Sequence, residues 1–306
     1  MFDSTLSDKF NEKCPSDGTI MFEPGPGGLP LARIANSNCA ALVSIYGAHV
    51  MSYIPHGFDD ILWLSAESFY DEGKPIRGGI PVCWPWFGAH PTDLDKPAHG
   101  FARNSMWELV SASTDEGVSE IVLELRNDDR TRFLWPHSFN LKAVIKAGAT
   151  LEMALTTENT SLAPFSITQA LHTYFSISEI GNICVKGFEN VKYIDTLKPA
   201  NFPMQTQQGP LTFAAETDLV YVDTKGSYEI EDPGFKRRIR IDKTGSASAV
   251  AWNPWVEKSK RMRDFGDEEY HSMVCVEVTN AHGDKRNIAP GCNHTISTVI
   301  KASELD

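Results

Sequence analysis

The chain has 306 residues, 42% of them hydrophobic and 22% charged, a globular composition with ample material for a large core. Its net charge of −12 argues against nucleic-acid and membrane partners, and it obliges any phosphorylated ligand to find a local cationic pocket. Cys14, Cys39, Cys83, Cys184, Cys275 and Cys292 form no C-x-x-C pair and no metal-ligand spacing, so they read as reduced thiols of a cytoplasmic protein with no metal site.

In chain order, Met1 to Ser4 lack a charged-then-apolar signal pattern. Pro24 to Pro30 is a Gly/Pro-rich loop. Cys39 to Val50 is apolar but too short to cross a bilayer. Ser65 to Tyr70 and Glu257 to Met262 are the best helix candidates. Short β-branched runs dominate the rest: Ile121 to Leu125, Leu141 to Ile145, Leu151 to Leu155, Ser248 to Trp252, Met273 to Val278 and Thr295 to Ile300. Turn formers separate them at Asn127-Asp128-Asp129, Ala147-Gly148, Asp223 to Gly226, Asp232-Pro233-Gly234 and Asp242 to Gly245. The pattern predicts an all-β sandwich or barrel, with residues 1–306 as one domain.

Four segments depart from plain strand-and-turn sequence. Ile76 to Gly88, IRGGIPVCWPWFG, cannot be a central strand because each proline removes a ladder donor. Its glycines would let backbone approach a ligand. Trp84 and Trp86 suit either sugar stacking or a buried core, and Arg77 leans towards ligand binding. Pro97 to Asn104, PAHGFARN, places His99 and Arg103 around a small flexible stretch. A guanidinium there would pair with a carboxylate or hold an oxyanion, so Arg77 and Arg103 are natural partners for one phosphate. Phe165 to Phe175, FSITQALHTYF, alternates as a strand with Thr168, Ala170, His172 and Tyr174 on one face. A histidine there is either structural or catalytic. In MVCVEV, Met273 to Val278, Glu277 sits within an apolar strand. It either faces solvent or has a task, and apolar neighbours would raise its pKa towards a general-base range. An acid, a base, an anion clamp and aromatic platforms are the parts a hexose-phosphate mutarotase needs.

At these residues the chain resembles the glucose-6-phosphate 1-epimerases of the aldose 1-epimerase superfamily. The resemblance runs from about Ala41 to Val278. It is carried by GAHVMSY (Gly47 to Tyr53), DILWLS (Asp60 to Ser65), IRGGIPVCWPWFG, PAHGFARN, LWPHSF (Leu134 to Phe139), LHTYF (Leu171 to Phe175), TDLVY (Thr217 to Tyr221), WNPW (Trp252 to Trp255), DFGDEEY (Asp264 to Tyr270) and MVCVE. It implies a large antiparallel β-sandwich of the galactose mutarotase-like supersandwich kind. It also implies that His172 and Glu277 are catalytic, that Arg77 and Arg103 hold the 6-phosphate, and that Asp218 and His99 complete the sugar site.

The implied reaction needs no cofactor. Glu277 takes the anomeric proton, His172 protonates the ring oxygen, the open aldehyde rotates, and the pair closes the ring on the other face. The partner is a small hexose phosphate, and a monomer is expected. Two alternatives stand beside this: an aldose 1-epimerase for unphosphorylated sugars, and a non-catalytic carbohydrate-binding protein on the same fold.

Overall fold

The computed structural model describes residues 4–15 and 17–305. Met1, Phe2 and Asp3, read above for targeting, lie outside them. Every ladder between its named strands is antiparallel. Two eight-stranded sheets dominate. One, here the backing sheet, runs in the order Cys184–Lys186, Tyr228–Asp232, Arg237–Thr244, Asn293–Glu304, Leu151–Asn159, Phe139–Ala147, Val118–Arg126, Glu108–Asp115. The other, the pocket sheet, runs Gln205–Thr206, Lys192–Asp195, Thr217–Val222, Ser248–Asn253, Met273–Asn280, Gln169–Leu171, Val82–Cys83, with Tyr174–Ser176 also paired to Met273–Asn280. A four-stranded sheet, Ile20–Pro24, Pro30–Ala35, Cys39–Ser44 and His49–Pro55, completes the larger elements.

Alternation explains the backing sheet. Leu151, Met153 and Leu155 bury fully while Glu152 faces solvent. Register sets Leu155 beside Ala143 and Met153 beside Ile145, so their apolar faces coincide. These side chains share one hydrophobic core with Val274, Val276 and Val278 of the pocket sheet. Trp84 joins the two sheets, its Nε1 donating to Thr157 Oγ1 at 2.9 Å.

The proline-rich segment enters only as the two-residue edge strand Val82–Cys83, as its missing donors require. The helical expectations fare less well. Ser65 to Tyr70 forms a turn at Ala66-Glu67 and then irregular backbone, because Ser65 Oγ and the Ala66 amide both donate to Glu269, and Ser68 Oγ accepts from the Arg77 amide. The second helix is Trp255–Ser259, earlier than Glu257 to Met262. It stops where Ser259 Oγ turns back onto the carbonyls of Trp255, Val256 and Asp267. Asn127-Asp128-Asp129 starts a helix, Asp129–Leu134, through a reciprocal cap between Asp128 and Thr131. No helix of the described residues is long and apolar enough to cross a membrane.

Candidate active site

The pocket sheet builds its site by register. One row across the strands reads Asp218, Trp252, Cys275, Tyr174, and the next reads Val220, Val250, Glu277. Strand Gln169–Leu171 pairs Leu171 with Val278, and strand Tyr174–Ser176 pairs Tyr174 with Cys275. The two residues between them therefore set His172 opposite Glu277. Their facing atoms, His172 Nε2 and Glu277 Oε1, lie 3.3 Å apart. The single alternating strand expected over Phe165 to Phe175 is thus broken at Thr168 and again at His172-Thr173. At the first break Thr168 Oγ1 accepts from the Phe87 amide at 2.8 Å.

His172 and Glu277 open onto a pocket of about 490 Å³ that also receives Arg77, His99, Arg103 and Asp218. All six side chains singled out from the sequence therefore meet in one cavity. Glu277 is 1% exposed, and its second oxygen, Oε2, lacks a hydrogen-bond partner, as does His172 Nδ1. Burial, then the nearby Asp218 charge, push the Glu277 carboxyl well above its ordinary range. Burial, then the Arg103 and Arg77 charges, push the His172 imidazole down to about 3. At neutral pH the imidazole is therefore unprotonated.

The two arginines differ. Arg77 donates Nε and Nη2 to Asp264 Oδ2 at 3.2 and 3.0 Å, and Nη1 to the Tyr174 hydroxyl at 2.9 Å. Burial opposes its charge, but Tyr174 and Asp264 outweigh that and hold its pKa above the usual arginine value. Arg103 donates Nη2 only to the Ala98 carbonyl, at 3.0 Å, its Nε has no partner, and it has no carboxylate partner among the described residues. Burial, then Arg77, lower its pKa. An under-compensated guanidinium in a pocket is an anion site in waiting.

His99 is set by its backbone. It has φ 64, next to Gly100 at φ 73, where a Cβ would meet the Trp84 carbonyl at 1.9 Å. Its amide donates to Gly88 O at 2.7 Å and its Nδ1 accepts from the Gly88 amide at 3.3 Å, which leaves Nε2 as the protonated nitrogen. Burial, then Arg103 and His172, keep it neutral. Its ring centroid lies 5.6 Å from that of His172.

Some sequence readings change. Gly78 and Gly79 serve packing: a Cβ would meet the Trp63 carbonyl at 2.4 Å and the Val50 carbonyl at 2.2 Å respectively. Trp84 and Trp86 take the core alternative, and the Trp86 Nε1 is tied to Pro97 O. The aromatic walls are instead Trp252, Phe87 and Tyr174. Sequence reasoning also passes over Lys258, whose Nζ lies 5.5 Å over the Trp252 ring, and Asp264, the partner of Arg77. Cys275, a core thiol on sequence grounds, is buried, yet its sulfur joins His172 and Glu277 in a cluster whose ligand atoms lie within 4.8 Å of one another. A Cys-x-Glu spacing on a strand, which puts both on one face, is the available signal.

The chain is similar to known proteins in sequence and in fold. The family model described as Aldose 1-epimerase matches residues 30–301. A protein of Cenchrus ciliaris named "Putative glucose-6-phosphate 1-epimerase" is 37% identical over 263 residues, 82% of this chain and 78% of that protein. A crystal structure of a "putative mutarotase (YeaD)" from Salmonella typhimurium superposes with a TM-score of 0.88 at 29% identity, covering 98% of this chain and 99% of that one. A galactose mutarotase-like protein from Clostridium acetobutylicum shares the fold at a TM-score of 0.74 and 15% identity, over 93% of this chain and 98% of that one.

Proposed function

The chain belongs to the aldose 1-epimerase family, and on that basis we propose that it interconverts the α and β anomers of a hexose 6-phosphate, glucose 6-phosphate being the expected substrate. The observation that carries the phosphate part is Arg103. A cation without a carboxylate partner, beside Arg77 and in the same pocket as the 3.3 Å His172–Glu277 contact, suits a phosphate ester. An unphosphorylated aldose has no use for it.

The chemistry needs one proton on the pair. Glu277 takes the anomeric proton and His172 protonates the ring oxygen; the roles reverse on closure. Burial raises the Glu277 carboxyl and lowers the His172 imidazole, so it favours the neutral form of each over the charged pair. A doubly charged phosphate between Arg77 and Arg103 offsets the two cations that disfavour the imidazolium, and so raises the His172 pKa. His99 Nε2 and Asp218 serve as hydroxyl partners, and Trp252 offers a ring face to the sugar.

No cofactor enters this reaction. The reading assigns action to the cytoplasm, since a doubly charged ester does not cross a bilayer unaided.

The test is anomer relaxation, followed by polarimetry, starting from pure α-glucose 6-phosphate and pure α-glucose. The expected result is acceleration of both, with kcat/KM at least about tenfold higher for the phosphate. Equal values for the two sugars would remove the phosphate from the proposal, and no acceleration of either would leave a binding protein.

A further inference from the structure

Proton transfer employs two members of the buried cluster and leaves the third, Cys275, unused. Cys275 lies two residues before Glu277 on the same strand face, in the row between Tyr174 and Trp252. One ring nitrogen of His172, Cys275 Sγ and one carboxylate oxygen of Glu277 lie within 4.8 Å of one another. Glu277 is 1% exposed and Oε2 is unpartnered, as is His172 Nδ1, so donors at the cluster have lone pairs to give.

Imidazole nitrogen, thiolate sulfur and carboxylate oxygen are all zinc ligands, and three protein ligands with an open fourth position make a complete open site. Donors bonded to a tetrahedral zinc ion sit roughly 3.5 Å apart, given bonds of about 2.0–2.3 Å. The cluster's donor atoms, within 4.8 Å of one another, must draw together by up to about 1.3 Å to reach that spacing. His172 borders the pocket, which supplies the entry path and the open position. Arg77 and Arg103 oppose a dication here and Asp218 favours one, so selection rests on the soft sulfur rather than on net charge. Magnesium and calcium, which prefer all-oxygen shells, do not fit.

We propose that His172, Cys275 and Glu277 form a binding site for a single zinc ion, and that the bound ion blocks anomer interconversion. Binding sends the thiol proton, and the proton held by the His172–Glu277 pair, to solvent. The ion then occupies lone pairs that proton transfer requires. The inhibitory half rests on the proposed roles of His172 and Glu277; the binding half does not.

The experiment uses the full chain, freed of metal, with cobalt(II) as spectroscopic probe and zinc as competitor. One cobalt ion per chain should give a thiolate-to-metal charge-transfer band that one equivalent of zinc abolishes. Micromolar zinc should slow anomer relaxation at least about tenfold, reversibly on chelation, and magnesium should not. Cys275→Ser and Cys275→Ala should keep the basal rate, lose the band, and need at least about tenfold more zinc for half-inhibition. His172→Asn, which keeps the thiol, should also lose the band. No band in the wild type, or a band that persists in the Cys275 and His172 variants, overturns the site. A zinc-sensitive band without inhibition, or equal zinc inhibition of wild type and Cys275 variants, overturns the inhibitory role. If the wild type relaxes no anomer, the enzymatic reading fails, and the cobalt band still decides the metal site.

Discussion

The strands Leu151–Asn159 and Met273–Asn280 are made of the same antiparallel ladder and are buried in different ways. Along the first, fully buried residues alternate with more accessible ones, and Glu152 points to solvent. Along the second all eight residues are buried, on both faces, and of the eight only Glu277 lines the pocket. A carboxylate therefore costs nothing on the first strand's outer face, whereas Glu277 is held without full hydrogen bonding on the second. One strand is optimised for stability. The other gives up stability to hold a proton-transfer group in a dry site.

The largest effect that sharpens this contrast is expected at the pocket rim. Replacing both Arg77 and Arg103 with alanine should cost about 10²–10⁴-fold in kcat/KM on glucose 6-phosphate, since each charged hydrogen bond is worth roughly 1.5–3 kcal/mol. The rate on free glucose, which has no phosphate for the arginines to hold, should fall far less, any change there reflecting the His172 pKa that the two cations depress. Parallel kinetics on the two sugars check this, and equal losses on both would assign the arginines to the fold. Glu277→Gln comes next. Turnover should fall at least about 10²-fold while circular dichroism stays unchanged, because an amide cannot accept the proton. His172→Asn should behave alike.

Breaking the other strand should do the reverse. Leu155→Ala removes a fully buried side chain of the backing sheet and should cost about 2–5 kcal/mol of stability, read by denaturant melts, with kcat within about twofold of wild type. The smallest effect tests the trade directly. The folded-state pKa of Glu277 lies above its ordinary value of 4.5, so the unfolded chain loses that proton first and wild-type stability falls as pH rises between the two values. The amide that Glu277→Gln introduces does not titrate. The Tm of that variant should thus exceed wild type by at least about 2 °C at pH 8, with the gap closing towards pH 4.5. A gap that widens on acidification would show that Glu277 is held charged.

Much of this architecture is legible in the chain itself. Period-two alternation in Leu151 to Leu155 predicts a one-sided strand, because side-chain direction along a strand is a local property. Glu277 among valines and an arginine beside two glycines stand out as anomalies, and the motif series points to the family that comparison assigns. The folded chain settled the rest. It chose Trp252 over Trp84 and Trp86 as the pocket's indole, because the choice depends on which face of which sheet each occupies. It turned Ser65 to Tyr70 away from helix through bonds to Glu269, far along the chain. It gave Arg77 its Asp264 partner and left Arg103 without one, and it set Cys275 against the proton-transfer pair. Such outcomes depend on contacts between residues far apart in the chain, whereas periodicity and propensity report only on neighbours.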